Sequence, residues 1–483
     1  MPPRFADDVI LLDGNVLWHR RTGRHLALSP ETRAEIERWT PGLAPPPDLR
    51  AVARRLDELH LLRESAPVDL ASRIPCRSRL VLTFPSDPSL WMPVPAVHPA
   101  GGHPWRAMPL TAAQLAFWRA CNGSRTVAQA AEAAGIAIPT DFVAALTAPD
   151  AQALQLRDAP LTRRDPSLER LVTPERLPNV RTPGAYTAAG LADYHHAIDD
   201  GPTHFDDRET TVAHAFGVPH AALGGQRYGE RLFDVIGAPD DGLVVEIGPG
   251  DGELGAAFLA RAGGPLDYLR VDASPELLRT QRARMPGTRE VLGSATALPL
   301  PDRSAGLVIC NEVIADLAAV PYEQAADRIR RHRLVTHDGP YNVGAWMCLE
   351  EIARVLVPGG RAVVTEFGGV DEIPTETAQL DHPEVSIHFG HLLAIARALG
   401  LQARLEPLAD FMAFDLRAQQ LARHSYHGLR ARMRAEGRRL AARAYDPDTL
   451  ALPWPVEGLQ WVPISDEGAG PLVTRFMALV VRR

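Results

Sequence analysis

The sequence contains no lysine, so all 51 of its basic residues are arginines. It is also rich in alanine, glycine and proline, a combination typical of a GC-rich genome rather than of a special need for guanidinium groups. The acidic residues outnumber the basic ones and give a formal net charge of −8 at pH 7. Such a charge argues against a protein whose main task is to coat nucleic acid, so we expect no nucleic-acid partner.

Cysteine is scarce, and its positions exclude two kinds of site. The four cysteines are far apart and form no CxxC pair: Cys76, Cys121, Cys310 and Cys348. This spacing provides neither a zinc site nor a disulfide framework, and it suits a reducing compartment. We therefore predict no metal site and a cytoplasmic location.

Long apolar runs are missing as well. The N-terminus, MPPRFADDVILLDG, has acids where a secretory signal peptide needs bases and an apolar core. No uninterrupted apolar run approaches the roughly 18–20 residues of a membrane span. We expect a soluble protein without a membrane partner, and the sequence is compatible with a homodimer.

At 483 residues the chain is too long for one hydrophobic core, and its patterns predict five segments. Two small α+β modules occupy residues 1–70 and 71–165. A loop-rich connecting segment, expected to cover the substrate, occupies 166–235. Alternating strands and helices predict a parallel α/β sheet over 236–370, and residues 371–483 complete it with a helical cap.

The two N-terminal modules share a weak repeat of the helix–turn–helix type. In the first, the apolar runs Val9–Leu12 and Val16–His19 flank an Asp-Gly-Asn turn and predict a hairpin. In the second, Thr111 and Thr126 are predicted to cap two helices, the latter ending at Gly135.

The strongest functional signal is a glycine-rich turn. A short β-rich run leads into the sequence EIGPGDG, and a predicted helix over Leu254–Arg261 follows. Glycines let the backbone turn tightly and let a ligand lie against bare peptide groups at a helix N-terminus. We predict that the three glycines of this turn bind a cofactor: Gly248, Gly250 and Gly252.

A glycine-rich turn alone is weak evidence, because NAD enzymes have one too. Here the spacing is GxGxG rather than GxGxxG, and two acids accompany it. Glu246 stands two residues before the first glycine, where it can hold the cationic amino-acid end of S-adenosylmethionine. Asp272 closes the next apolar strand, where its carboxylate can accept hydrogen bonds from the ribose hydroxyls. The pattern favours S-adenosylmethionine over NAD and over a turn that binds nothing.

Two later elements fit the same cofactor. The loop around Ala295, in the sequence GSATALP, is suited to the adenine edge. Leu307–Cys310 is a predicted buried strand, and Asn311 and Glu312 follow at its C-terminal end, where ligands bind in open α/β sheets. We therefore add Ala295 and Asn311 to the predicted cofactor residues.

This order of parts resembles the class I S-adenosylmethionine-dependent methyltransferases. More narrowly, it resembles the MidA family, which includes the mitochondrial complex I assembly factor that methylates a protein arginine. The matching motifs are VVEIGPGDGELG, VDASPELLRTQ, NEVIADLAAV and HPEVSIHFGHLLAIARALGL, spread over residues 210–410. The resemblance implies a Rossmann-like sheet, S-adenosylmethionine as methyl donor and S-adenosylhomocysteine as product.

Residues 1–160 resemble the PqqD-like peptide-recognition domains, small winged helices with a hairpin and three helices. The stretch NGSRTVAQAAEAAGI carries this resemblance. In that fold the hairpin edge takes up the leader of a precursor peptide as an additional strand. A DNA-binding winged helix is an alternative, but the predicted helix Val127–Ala134 has no arginine. A module that only packs on the catalytic part is another.

Together the two resemblances imply a leader-guided methyltransferase that N-methylates a ribosomally synthesised peptide in natural-product biosynthesis. The acceptor would attack the sulfonium methyl in line, so the enzyme mainly has to hold, desolvate and orient it. An amine acceptor must also lose a proton, and Glu312 is the first candidate for the general base. Asp316 and Glu366 are the second candidates.

Three other functions stay open. The chain would be a small-molecule or protein-arginine methyltransferase if the N-terminal modules are structural. It would be a regulator if winged helices bind DNA and the Rossmann part senses a ligand, and DNA binding would then depend on salt. It would be an assembly factor if it needs the fold but not the chemistry.

Overall fold

The computed structural model describes most of the chain beyond residue 68. The described ranges are 69–147 with short gaps, 153–157, and 192–483 without 240–241, 378–381, 383 and 467–469, together with short strands and two single residues between residues 3 and 64. Most of the first predicted module and the loop-rich part up to residue 191 lie outside the described residues.

The chain divides into two compact units. The N-terminal unit comprises Met1–Val180, Ala422–Leu440 and Leu452–Gln460. The sheet unit comprises Arg181–Leu421, Ala441–Ala451 and Trp461–Arg483. The finer division into five segments stays a prediction.

The described residues form short strands and helices in both units. The strands are β1 (Pro3–Phe5), β2 (Val9–Leu12), β3 (Val16–His19), β4 (His25–Ala27), β5 (Leu62–Glu64), β6 (Ile74–Arg77), β7 (Leu82–Thr83), β8 (Ser89–Met92), β9 (Arg106–Pro109), β10 (Leu154–Arg157), β11 (Leu243–Ile247), β12 (Tyr268–Asp272), β13 (Arg289–Leu292), β14 (Ala305–Asn311), β15 (Leu356–Gly369), β16 (Glu376–Thr377), β17 (Glu384–Val385), β18 (Ile387–His388), β19 (Gln402–Pro407), β20 (Gln419–Leu421), β21 (Trp461–Pro463) and β22 (Phe476–Arg482). The helices are α1 (Ala112–Ala120), α2 (Val127–Ala133), α3 (Thr140–Thr147), α4 (Ala192–His196), α5 (Gly201–Asp207), α6 (Val212–Ala215), α7 (Tyr228–Ile236), α8 (Glu253–Ala262), α9 (Pro275–Arg284), α10 (Tyr322–His332), α11 (Val343–Val355), α12 (Phe389–Ala398), α13 (Leu408–Phe411), α14 (Arg423–Ala435) and α15 (Gly470–Arg475). Among the described helices, none is long and apolar enough to cross a membrane.

In the N-terminal unit the predicted hairpin is confirmed, because β2 and β3 pair antiparallel from Val9 with His19 to Leu12 with Val16. Strands β7, β8 and β9 form a second antiparallel sheet in the order β7-β8-β9. The winged-helix assignment of these modules stays a prediction.

The two predicted helix caps of the N-terminal unit are also confirmed. Thr111 Oγ1 accepts a hydrogen bond from Gln114 N at 3.1 Å, and Gln114 Oε1 accepts one from Thr111 N at 2.9 Å. Thr126 and Gln129 make the same reciprocal pair. Each T-x-x-Q sequence thus satisfies amide groups that a helix start leaves without partners.

The sheet unit contains a mixed, Rossmann-like sheet in the order β13-β12-β11-β14-β15-β22-β19, with β18 beside the end of β15. The first five strands of that order are parallel. The predicted α/β sheet is therefore confirmed, with one difference: β22 runs antiparallel between β15 and β19. Because β22 pairs antiparallel with both of its neighbours, this last strand of the chain can join the sheet without the crossover helix that a parallel strand needs.

Alternate residues of the central strands face opposite sides of the sheet, as the β-strand period requires. Val245 and Leu269 belong to one apolar cluster, whereas Val244 and Tyr268 belong to the other. The strand order reverses at β11, which has β12 on one side and β14 on the other. In open α/β sheets, ligands bind outside the carboxyl ends of the strands at such a switch point.

Candidate active site

The turn between β11 and α8 has the conformation for which glycine is needed. Gly248, Gly250 and Gly252 have φ angles of 61°, 56° and 83°, in the left-handed region that other residues rarely adopt. A Cβ atom on Gly248 would lie 2.5 Å from Val313 Cγ2, and one on Gly250 would lie 2.8 Å from Phe205 Cζ. Both the backbone and its surroundings therefore select glycine here.

The turn forms one wall of a cavity of about 320 Å³, within the range of small-molecule sites. The cavity lies at the carboxyl ends of β11, β12 and β14. Most of the predicted site residues line it: Glu246, Gly248, Gly250, Asp272, Ala295, Asn311, Glu312 and Asp316. Gly252 and Glu366 are not among its lining residues.

Glu246 is a buried carboxylate on the glycine side of the cavity. It is 2% exposed, and its Oε2 accepts a hydrogen bond from Tyr268 Oη at 2.8 Å. Burial raises the pKa of Glu246 to about 7, although the Tyr268 bond and the Arg270 guanidinium lower it. A ligand cation next to the carboxyl would favour its charged form, so the residue fits the cationic end of a ligand.

Asp272 ends β12 and is connected to the glycine turn. Its Oδ1 accepts a hydrogen bond from Ser274 N and its Oδ2 one from Gln281 Nε2, both at 2.8 Å. The same Gln281 Nε2 donates to the carbonyl oxygen of Gly250 at 2.7 Å. Burial raises the pKa of Asp272 to about 6, against the effect of these bonds. Each oxygen keeps a lone pair for a ligand hydroxyl.

Contacts within the loop that carries Ala295 hold it in one conformation. Ser294 Oγ lies 2.9 Å from Thr296 Oγ1, and Ser294 forms a β-bridge with Ala297. Leu298 N donates to Glu351 Oε2 at 2.8 Å and thereby ties the loop to α11. These contacts fix a short wall of the cavity on which Ala295 offers an apolar surface.

Asn311 lines the cavity, but its amide group is engaged by protein atoms. Its Oδ1 accepts hydrogen bonds from Tyr228 Oη at 2.8 Å and Thr365 Oγ1 at 2.7 Å. Its Nδ2 donates to Glu312 Oε1 at 2.9 Å. These contacts make Asn311 a positioning residue for Glu312, and its predicted contact with the cofactor stays a prediction.

Glu312 is held in a strained conformation at the end of β14. Its φ of 57° is unusual for a residue with a side chain, and such strain is concentrated at functional sites. Val212 N donates to Oε1 at 3.0 Å and to Oε2 at 2.9 Å, and Ala213 N donates to Oε1 at 3.3 Å. Burial raises the pKa of Glu312 to about 7, although these amides lower it. A positioned carboxyl with this pKa is suited to accept a proton near neutral pH.

The other two candidate acids differ in position. Asp316 lines the cavity, and its carboxyl lies between His195 and His382. Glu366 is 2% exposed and accepts hydrogen bonds from Ala315 N at 3.1 Å and from its own neighbour Phe367 N at 3.0 Å. Burial and nearby carboxylates raise the pKa of Glu366 well above its usual value. It supports the backbone and does not face the cavity.

One histidine–carboxylate group of the cavity wall is absent from the sequence prediction. His214 Nδ1 lies 2.9 Å from Asp251 Oδ2, and His214 Nε2 lies 2.8 Å from Asp206 Oδ1. Burial lowers the pKa of His214, but the two carboxylates more than reverse this and raise it. Asp251 lies within the EIGPGDG motif, so the sequence could have indicated it as a site residue. Asp206 and His214 lie on α5 and α6, which carry no recognisable motif.

The matched part of the chain contains this cavity. Residues 245–335 match the family described as "Methyltransferase domain". An uncharacterized methyltransferase of Mycobacterium tuberculosis is 30% identical over 121 residues, 24% of this chain and 37% of that protein. An uncharacterized methyltransferase of Schizosaccharomyces pombe is 31% identical over 83 residues, 17% of this chain and 32% of that protein. The chain thus spans well under half the length of these curated relatives.

The solved structures that the chain matches include a possible histamine N-methyltransferase from Thermotoga maritima. It is 15% identical, covers 60% of this chain and 97% of its own, and has a TM-score of 0.29. A methyltransferase from Streptomyces caelestis is 14% identical, covers 61% of this chain and 96% of its own, and has a TM-score of 0.30. The family match, rather than these structures, identifies residues 245–335 as a methyltransferase domain whose cofactor is S-adenosylmethionine.

Proposed function

We propose that the whole chain is an S-adenosylmethionine-dependent methyltransferase that modifies a peptide guided to it by a leader sequence. One observation carries the catalytic half of this proposal. A single cavity is lined at the glycine turn by Glu246 and Asp272 and at the end of β14 by the strained Glu312. The cavity thus combines groups for a cationic nucleoside with a carboxyl suited to proton transfer.

The residues around the glycine turn fit each part of S-adenosylmethionine. The carboxylate of Glu246 would pair with the cationic amino-acid end. The carboxylate of Asp272 would accept hydrogen bonds from the ribose hydroxyls. Ala295 would pack against the adenine ring. When bound, the cofactor supplies an electrophilic methyl group on a sulfonium.

The role of the chain's own residues is to position and deprotonate the acceptor. The methyl group that a bound cofactor would supply goes to an acceptor nitrogen, which must lose a proton in exchange. The acceptor's proton passes to a Glu312 carboxylate oxygen. The Val212 and Ala213 amides and Asn311 hold that carboxylate in place, so little reorganisation accompanies the reaction.

Support for a peptide substrate comes from the N-terminal unit. Its resemblance to peptide-recognition domains implies that a leader binds along a sheet edge. Strand β9 pairs with β8 on one side, and among the described residues it has no partner strand on the other. An extended leader could add to such an edge through backbone hydrogen bonds. We therefore assign the leader to this unit and the N-methylated core to the cavity.

The test is mass spectrometry of candidate precursor peptides incubated with the full chain and S-adenosylmethionine. We expect added methyl masses on the core of the leader-bearing peptide, located by fragmentation. The same core without its leader should react at least about tenfold more slowly, since binding energy remote from the reacting atom would be lost. Equal methylation of both peptides would refute guidance by a leader, and methylation of small molecules alone would refute the peptide substrate.

We expect Tyr268→Phe to weaken S-adenosylmethionine binding about five- to tenfold, the worth of one typical hydrogen bond. The variant removes the donor 2.8 Å from Glu246 Oε2 and so raises the pKa of that buried carboxyl further. Calorimetry at pH 7 measures the dissociation constant. Tyr445→Phe, which removes a hydroxyl bonded to Ala441 O in the same unit, is the control and should bind normally. Unchanged binding by Tyr268→Phe would mean that Glu246 does not hold the cofactor.

A further inference from the structure

Two histidines and two acids meet at the cavity, although they come from distant parts of the sequence. The ligating atoms of His195, Glu209, Asp316 and His382 all lie within 4.8 Å of one another. We propose that these four side chains bind one divalent transition-metal ion, with zinc as the representative case. The binding claim stands alone, whereas the role of the ion in catalysis rests on the proposed function.

The spacing of the atoms suits metal coordination better than direct hydrogen bonding. His382 Nε2 lies 3.4 Å from Asp316 Oδ1, and His195 Nε2 lies 3.7 Å from Asp316 Oδ2. Both distances exceed those of ordinary N–H···O bonds, about 2.7–3.2 Å. Neighbouring ligands about 2.1 Å from an ion are about 3.0–3.4 Å apart in octahedral or tetrahedral arrangements. Small side-chain movements would therefore complete the coordination.

A buried acceptor atom points independently to a ligand. Asp316 is 8% exposed, and its Oδ1 atom is buried with no hydrogen-bond partner. Leaving a buried carboxylate oxygen without a hydrogen bond costs free energy, and the ion pair with His382 Nε2 at 3.4 Å offsets that cost only in part. A cation between Asp316 and the two histidines would compensate that cost directly.

A second layer of side chains orients one of the acids. His204 Nε2 lies 2.9 Å from Glu209 Oε2, and His204 Nδ1 lies 3.0 Å from Asp200 Oδ1. Glu209 and His204 are both buried. This contact uses one carboxylate oxygen of Glu209 and leaves the other for an ion. Outer hydrogen bonds of this kind are typical of metal ligands and fix their orientation.

The donor set indicates the class of metal. Two imidazole nitrogens together with two carboxylates suit zinc, iron, manganese or cobalt, whereas magnesium and calcium prefer sites built of oxygen alone. Glu384 adds a further negative group, with Oε1 3.7 Å from His382 Nε2. The concentration of acids therefore favours a doubly charged ion.

The position of the cluster suggests what the ion would do. Three of its residues, His195, Glu209 and Asp316, line the same cavity as Glu312 and the glycine turn. An ion held there would have an open position toward the cavity. It would bind the acceptor's nitrogen or oxygen, orient it and make its proton easier to remove by Glu312.

The test measures zinc binding by the full chain directly. Protein treated with chelator and dialysed is titrated with zinc chloride in a calorimeter, and bound metal is counted by atomic emission. We expect one zinc per chain and a loss of affinity of about 100-fold or more in His382→Gln and in the isosteric Asp316→Asn, because each removes one ligand. His332→Gln, which alters a buried histidine beside Glu350 in the same unit, should bind zinc normally.

S-adenosylmethionine binding and circular dichroism are measured on the same samples. A chain that binds S-adenosylmethionine but no stoichiometric zinc would overturn the metal site and leave the proposed function intact. Zinc binding that survives both ligand substitutions would also overturn it. A third outcome is that only the ligand variants lose zinc binding, while no form of the chain binds S-adenosylmethionine. That outcome would support the metal site and overturn the proposed function.

Discussion

Replacing Gly250 with valine should reduce S-adenosylmethionine binding by at least about 100-fold and abolish methyl transfer with it. The residue has a φ of 56°, which a β-branched side chain does not tolerate without strain. Its Cβ atom would lie 2.8 Å from Phe205 Cζ, and Phe205 is itself packed against Ile198 and Leu277. The turn must then open, which displaces the carbonyl oxygen that Gln281 holds at 2.7 Å. Because Gln281 also positions Asp272, two binding groups move together.

The matched control for this variant is Gly263→Val. Gly263 follows α8 with a φ of 67°, but nothing lies within 4 Å of the Cβ position. Both variants therefore carry a similar backbone strain, of order 1–3 kcal/mol, whereas only Gly250→Val adds the clash with Phe205. Calorimetric titration with S-adenosylmethionine should separate them. Equal affinities in the two variants would show that the turn does not form the cofactor site.

The half of the site around the glycine turn could be predicted from the sequence because each residue belongs to a local pattern. Asp272 and Asn311 each close a buried strand, Glu246 stands one residue before the end of another, and the carboxyl ends of parallel strands meet at one edge of a sheet. Alternating strands and helices supply the remaining step, the Rossmann-like sheet. No contact between distant segments has to be known for this inference.

Glu366 shows how the same reasoning fails when a strand is longer than its apolar run. The predicted strand ends at Thr365, but β15 continues to Gly369. Glu366 therefore lies within the strand, where successive side chains point to opposite faces. Thr365 donates to Asn311 at the cavity, and Glu366 consequently points away from it. The length of β15 depends on its pairing with β22 up to Phe367 and with β18 at Gly368 and Gly369, which the sequence does not reveal.

The meeting of His195 and His382 with Asp316 could not be predicted, because no local pattern places them together, although His382 begins the segment HPEVSIHFGHLLAIARALGL. His195 and Glu209 come from the segment before the sheet, and His382 comes from the segment after β15. Their meeting with Asp316 depends on how these loops fold over the sheet. The scattered cysteines led to the expectation of no metal site, whereas imidazole and carboxylate ligands need no characteristic spacing.

Glu312→Gln should lower kcat/KM by roughly 100-fold or more at pH 8, the range expected for loss of a general base. The carboxyl has a pKa of about 7 because burial outweighs the Val212 and Ala213 amides. Below pH 7 it is protonated and cannot accept the acceptor's proton, so activity of the unaltered chain should rise about tenfold per pH unit toward 7 and then level off. At saturating S-adenosylmethionine, where titration of Glu246 with its pKa of about 7 no longer limits binding, the variant should lack this rise, because an amide does not titrate in that range. Initial-rate assays between pH 5 and 9 measure the pH profile of kcat/KM for both proteins.

The shape of the pH profile separates a base from a structural acid. Glu312 also ties α6 to β14 through the Val212 and Ala213 amides, so loss of that link alone could slow the reaction. A purely structural loss would lower the rate at every pH by a similar factor and keep the rise toward 7. Glu406→Gln, in an ion pair with Arg404 on β19, controls for removal of one negative charge and should keep both rate and profile. Only proton transfer to Glu312 makes the rate fall and the rise disappear in the same variant.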